Sequence, residues 1–527
     1  MLPSHHWAHH YQITDEDIDY LIEKLLERET PLKASSLARE LIEHRLNLES
    51  EKAQSRFEGS SIYQPTNKYK VGQKTIFPRF NNAIAEVIEV RKGNNEEYGS
   101  FDVIKVQFFD DAGEETGKTR EFAAQFTQED YLSEELLAST DLLTNNEEYS
   151  VDDIFSEVGK ELTEALETRL KSNAELISLT GLWFPTSLMM DVNAGHLNLA
   201  EAILDINEGG PMTTEQIIDE IGGLGNAPKS LQIFSMNYAL NADDRFDEVG
   251  PVNTVLWFLK RGEPAEVQTV PNYLRYTPIQ FDQNILTPSM LRLEREIDDE
   301  WSNLEFDDVQ DPVTIKLIYP HRRCGTLPLN ARMRQIFPTA RKTPRVYVTL
   351  VDGQDNEEYT GWVVRQDRYV YGLAPLYRKH RLPVGATVNI SSDDDGDRII
   401  VDFNAHRPRT EYVRLIVPRE NQISFSEQKR GIGADYDDLM VLGADEIAPV
   451  DALMQAMQQQ RRSLNWIVRH VLLELSHIST QGNVHFKTLY SAVNVLRRCP
   501  PGPIFAALLA EPDIIAMGDG DYWKIGT

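Results

Sequence analysis

Apolar residues recur at three- and four-residue steps from Ile18 through Leu21, Ile22 and Leu25 to Leu26, and Thr14 stands where an N-cap belongs. The pattern predicts a helix that Pro31 stops, then a longer one beginning SSLARELI. Between residues 69 and 124 the period shortens to two. YKVGQKTIFP, NNAIAEVIEVRKG, FDVIKVQFFDD and TREFAAQF are broken at Asn81-Asn82, Gly93-Asn94 and 111–113, and predict five short strands joined by turns. Residues 127–195 return to helical spacing in an acidic context, with Leu162, Leu166 and Leu170 four apart, and read as a helical connector.

Residues 196–265 predict a helix, a Gly-Gly-Pro break, a second helix capped by Thr213 or Thr214, and a third opened by Pro228. A strand, a turn at Gly250-Pro251 and a second strand close this segment. Residues 266–311 carry prolines first and acids last, the composition of a linker. Seven strands are then predicted at 313–319, 326–329, 345–351, 358–364, 369–373, 387–391 and 399–403, with short helices after the second and fifth. An acidic, glycine-bearing stretch at about 420–450 reads as another linker. Residues 450–527 predict a long amphipathic helix (LMQAMQQQRRSLNWIVRHVLLELSHIS), two further helices and a terminal hairpin turning at 518–521. The expected class is α+β and multidomain, with modules at 13–60, 66–126, 127–195, 196–265, 312–419 and 450–527.

Charge changes this picture. The chain has 527 residues and a formal charge of −30, from 53 Lys+Arg against 83 Asp+Glu. Residues 312–419 hold 18 of the basic and 11 of the acidic side chains, a local +7; the remainder holds 35 and 72, or −37. A basic island in an acidic chain is the electrostatic footprint of phosphate binding, provided the acids do not consume it. No stretch approaches the roughly 18 apolar residues of a membrane-spanning helix. The first residues lack the basic-then-apolar order of a secretory signal, and Cys324 and Cys499 form neither a disulfide framework nor a zinc motif, so a reducing cytoplasm is expected. His5, His6, His9 and His10 around Trp7 have weak metal-binding character, but the run is read as a tail. The aspartates at 393–397 around Gly396 depart from calcium-loop spacing and read as a charged turn.

Several segments resemble known modules. The helix–TPLK–helix opening is similar to the start of a winged helix-turn-helix domain. The strands from VGQKTIFPRFNNAIAEVIEVRKG onward resemble an SH3-like small β-barrel of the KOW or Tudor type, without its usual glycine. Residues 196–262 resemble a winged helix of the HARE variety, and 450–527 a further winged helix. The texts GTLPLNARMRQIFP, GWVVRQDRYVYGL and YRKHRLPVGATVNI resemble the B3-like DNA-binding pseudobarrel, with Gly385-Ala386 in place of its Gly-Asp and Ala374-Pro375 in place of its Gly-Trp. The resemblance implies two loops that grip the major groove, at His321, Arg322 and Arg323 and at Arg365, Gln366 and Arg368. Arg332, Arg334, Arg341, Lys342 and Arg345 would then contact phosphates. In the last module Arg461, Arg462, Lys487, Arg497 and Arg498 give the helices a positive balance suited to DNA.

The chain contains no Walker loop, HExxH, GxSxG elbow or Cys/His zinc spacing. The expectation is a non-enzymatic protein without metal or cofactor that binds double-stranded DNA in transcriptional regulation or defence. The alternative is an acidic adaptor whose winged helices and small barrel dock proteins, such as the transcription machinery. Pairing of the island's arginines by the acidic body would favour the alternative.

Overall fold

The computed structural model describes residues 12–526, except 58–59, 78–79, 81–82, 94–99, 110–114, 127–149, 180, 253, 341–342, 394–397 and 420–421, and except the side chains of 49–57 and 115. The N-terminal histidine run and Asp394, Asp395 and Asp397 therefore lie outside the described residues. The chain is α+β and divides into two compact units, Met1–Asp191 with Asn226–Ser235, and Val192–Gly225 with Met236–Thr527.

In the first unit, helix α1 (Asp15–Arg28) begins at Thr14, whose hydroxyl accepts from the Asp17 amide while the Asp17 carboxylate accepts from the Thr14 amide, a closed capping box. Helix α2 (Ala34–Phe57) follows, and then a five-stranded sheet with strands in sequence order: β1 (Ser61–Ile62), β2 (Lys74–Phe77), β3 (Ala83–Lys92), β4 (Asp102–Phe109) and β5 (Glu115–Ala124). The DVIKVQFF strand buries every second residue, as its alternation predicts. Helix α3 (Val151–Lys171) comes next, and its Leu162, Leu166 and Leu170 share one core with Leu21, Leu25, Leu37 and Leu41. The hairpin β6–β7 (Leu176–Leu179, Leu182–Pro185) adds Leu176 and Trp183 to it. The acidic segment expected to be a connector thus supplies the third helix and the hairpin of the N-terminal helical module, and the five-stranded sheet is inserted between its second and third helices.

The second unit opens with α4 (Ala194–Ile206), α5 (Thr214–Ile221) and α6 (Lys229–Ala242, whose first turns belong to the other unit), then the hairpin β8–β9 (Phe246–Glu248, Leu256–Leu259). Buried Trp257 donates its indole N–H to Thr214 (3.0 Å) and Asn237 (2.9 Å), tying hairpin to helices. Residues 266–311 are not a free linker. Helix α7 (Pro288–Ile297) inserts Met290 and Leu293 into the C-terminal core, and Asp298, Asp299 and Glu300 after it are buried.

The seven expected strands form one curled half-barrel sheet. In chain order they are β10 (Val313–Lys316), β11 (Thr326–Pro328), β12 (Arg345–Asp352), β13 (Glu358–Val364), β14 (Tyr369–Tyr371), β15 (Thr387–Ser392) and β16 (Arg398–Asp402). The sheet order is β10-β15-β16-β12-β13-β14-β11, and β12–β16 is its single parallel pair. Helix α8 (Tyr319–Cys324) occupies the place where an open loop was expected, and α9 (Ala374–Lys379) covers the other connection. Gly372 is obligatory at the entry to α9. Its φ is +125°, and a Cβ there would lie 2.2 Å from the Thr360 carbonyl oxygen.

The stretch expected to be a linker after the sheet is instead the return strand of a long ribbon, β17 (Ala405–Arg419) and β18 (Gln422–Ala434). The C-terminal module follows as α10 (Ile447–Gln459), α11 (Leu464–Ile478), α12 (Phe486–Leu496), α13 (Pro501–Ala510) and the hairpin β19–β20 (Ile514–Met517, Tyr522–Ile525). The single long helix expected here is two, because Arg461 takes a left-handed φ of 50° and Ser463 caps the second.

Candidate nucleic-acid interface

The first predicted reading loop is turned into the protein. His321 is wholly buried, with Nδ1 2.9 Å from the Thr326 hydroxyl and Nε2 3.1 Å from Glu300. Arg322 donates to the Leu382 carbonyl at 2.6 Å and lies over the Tyr377 ring, and burial draws its pKa down. Arg323 is exposed but pairs with Asp451 at 2.6 Å. In the second loop Arg365 donates to the carbonyls of Phe337 (2.5 Å) and Pro338 (2.9 Å). Arg368 donates to the Glu300 carbonyl at 2.8 Å and covers the Trp301 ring at 4.8 Å. Of these six side chains only Gln366 is exposed with no partner among the described residues.

The expected phosphate contacts divide similarly. Arg332 pairs with buried Asp298 at 2.6 Å, and Arg345 pairs with Glu263 and stands 3.7 Å from Asp247. Arg334 is half-buried and, among the described residues, reaches only a carbonyl of its own turn, Asn330 at 3.4 Å. Arg341 and Lys342 lie outside the described residues.

In the C-terminal module Arg498 is sealed in a charged knot. It contacts Asp299 at 2.7 Å, Glu300 at 2.6 Å and the Asn494 side-chain carbonyl at 2.8 Å, and none of the two carboxylates or the guanidinium is more than 2% exposed. Tyr490 donates its hydroxyl to Asp299 in the same place. Burial alone would raise the Glu300 carboxyl, but Arg498 and His321 outweigh it and hold it down to about 2. Lys487 is buried between Glu296 and Asp437. Arg462 lies 4.4 Å over the Trp466 ring, Arg497 is half-buried and donates to the Arg462 carbonyl at 3.3 Å, and Arg461 is exposed. The expectation of DNA contacts is corrected for His321, Lys487 and Arg498: His321 is wholly buried, and a cation sealed against carboxylates, as Lys487 and Arg498 are, cannot reach a phosphate without an uncompensated charge being left behind.

A positive surface that sequence reasoning passed over is the β17–β18 ribbon. Leu442–Gly443 pairs with only Arg414 and Leu415, so beyond that point the sheet is two strands wide. Its inner part is apolar: Val413, Leu415 and Ile432 pack against Val441. Arg414 donates to the Asp438 carbonyl at 2.8 Å and Arg430 pairs with Asp445. Arg407, Arg409 and Lys429 are exposed, and no carboxylate pairs with them among the described residues. Lys429 lies 5.2 Å from the ring centroid of Tyr412, its cross-strand partner, which is 64% exposed. The signal was present in the alternation of RPRTEYVRL and in the QKRGI that answers it, but the return strand was hidden by an acidic, glycine-bearing context.

Burial pushes the thiols of Cys324 and Cys499 up to about 12, so neither is a ready nucleophile. Among the described residues no cluster of His, Cys, Asp or Glu is arranged to hold a metal ion, and no helix is long and apolar enough to cross a membrane. No family model, curated protein or solved structure matches the chain.

Proposed function

We propose that the chain is a non-enzymatic, multi-module protein that binds duplex DNA through the β17–β18 ribbon. The observation that carries this reading is that Arg407, Arg409 and Lys429 stand on an exposed two-stranded ribbon with no carboxylate partner among the described residues, where most of the other candidate cations that are described are tied up. A two-stranded β-ribbon is narrow enough for the major groove, and unpaired cations at its surface release counterions when they meet phosphate. The helix–helix–helix–hairpin order in three places and the curled seven-stranded sheet support the winged-helix and B3-like resemblances. Of the side chains those loops would use, His321, Arg322, Arg365 and Arg368 are packed inward or held by carbonyls, and the ribbon takes their place.

Three phosphate contacts predict a salt slope of about −2.7, and hence binding roughly 40-fold weaker at 200 mM than at 50 mM salt. Fluorescence anisotropy of the full chain on a labelled duplex measures it. Joint replacement of Arg407, Arg409 and Lys429 by Ala should flatten the slope towards zero. A steep slope retained by that variant would place the contact elsewhere, and absence of binding at 50 mM would exclude the duplex reading. The second reading, an acidic adaptor, is favoured by the internal pairing of Arg323, Arg332, Arg345, Lys487 and Arg498, which withdraws those cations from any phosphate.

A further inference from the structure

Tyr412 has no evident work in the fold. It is 64% exposed, its ring meets no other aromatic ring among the described residues, and its hydroxyl makes no hydrogen bond among them. The strand register sets its surroundings. Tyr412 stands opposite Lys429 and Thr410 opposite Gly431, so all four share one face of the ribbon. Gly431 leaves that face low beside the ring: a Cβ there would meet just the Pro408 side chain, at 3.7 Å. The face therefore offers a flat aromatic surface, an adjoining shallow space and an ammonium group at the ring.

A duplex keeps the faces of its bases stacked on one another, so an exposed tyrosine ring gains little from it. An unpaired base has a free face, and stacking on an aromatic side chain is the commonest way proteins hold one, with a nearby cation taking the phosphate. We propose that Tyr412 is a stacking platform for an unpaired base, with Lys429 at the adjoining phosphate, so that the ribbon prefers DNA in which a single strand leaves the duplex. This rests on the reading of the ribbon as the DNA-binding surface.

The test compares the full chain on a blunt 20-base-pair duplex and on the same duplex bearing a six-thymine single-stranded tail. The tailed duplex should bind about 5- to 150-fold more tightly, the range that one stacked base supplies. Tyr412→Thr keeps the strand preference of the position and removes the ring; it should bind the tailed duplex no better than the blunt one. Tyr412→Trp should keep the preference for the tail. Equal affinity of the unaltered protein for both duplexes overturns the stacking platform while leaving salt-dependent duplex binding in place. A tail preference that survives in Tyr412→Thr overturns it as well. Failure to bind either duplex sinks the ribbon reading itself, and the platform with it.

Discussion

Replacing Arg498 with Met should destabilise the second unit by about 3–5 kcal/mol, the cost of leaving buried carboxylates without their cation. The guanidinium touches both Asp299 and Glu300, and the Asn494 side-chain carbonyl accepts from one further N–H. All three charged side chains are out of water, so solvent cannot replace the lost partner. Methionine matches the stem and leaves two carboxylates facing Tyr490 and His321. Adding Asp299→Asn and Glu300→Gln to Arg498→Met should recover much of the loss, because the polar shape is kept and the orphaned charges are gone. Urea unfolding of the three proteins decides it. The loss should appear as a lower midpoint, and the triple variant should move back up. An Arg498→Met protein as stable as the parent, but weakened in DNA binding, would return Arg498 to the role its sequence suggested.

Arg498 also shows what the sequence could and could not disclose. Runs such as RVYVTLVD and EYTGWVV are bounded by Asp352-Gly353 and a change of period, and those local signals were enough to place all seven strands of the large sheet. The same holds for the capped helices at Thr14 and Thr213, whose start signals lie within four residues. A partner is a different matter. Asp299 lies 199 residues from Arg498, in a segment whose proline and acid content reads as a linker. Nothing in either neighbourhood announces the pairing, and a basic side chain looks the same in sequence whether it meets a carboxylate or a phosphate. The N-terminal module is hidden for a related reason. Its third helix, Val151–Lys171, is separated from α2 by an entire five-stranded sheet, so its leucines could be recognised as a helical face but not assigned to a core. The ribbon was missed because its first half looked like the end of the basic island and its second half like acidic linker, and only strand pairing joins them.

Glu263 makes the stability of the second unit depend on pH near neutrality. Its side chain is fully buried beside Arg345, with Asp247 close to the same guanidinium. Burial, and next the hydrogen bond shared with Asp247, push its carboxyl up to about 7, against the pull of Arg345. The physical reason is one cation facing two carboxylates: the more deeply buried of the two keeps a proton. The folded pKa lies above that of an unfolded glutamate, so the folded form holds a proton that the unfolded chain has released. The contribution of this site is therefore fully present below about pH 4.3 and is lost as pH rises through 7. The shift corresponds to roughly 4 kcal/mol between those limits. Glu263→Gln mimics the protonated form and should not lose that amount. The difference in unfolding free energy between parent and variant should grow in favour of the variant from pH 5 to pH 8, whatever the other carboxylates do in common. Asp247→Asn should act through Glu263 in the same direction, because Arg345 would then serve a single carboxylate and let it ionise at lower pH. A parent and a Glu263→Gln variant whose stabilities run parallel across that range would show that Glu263 is already ionised in the folded chain and that its pairing with Arg345 outweighs its burial.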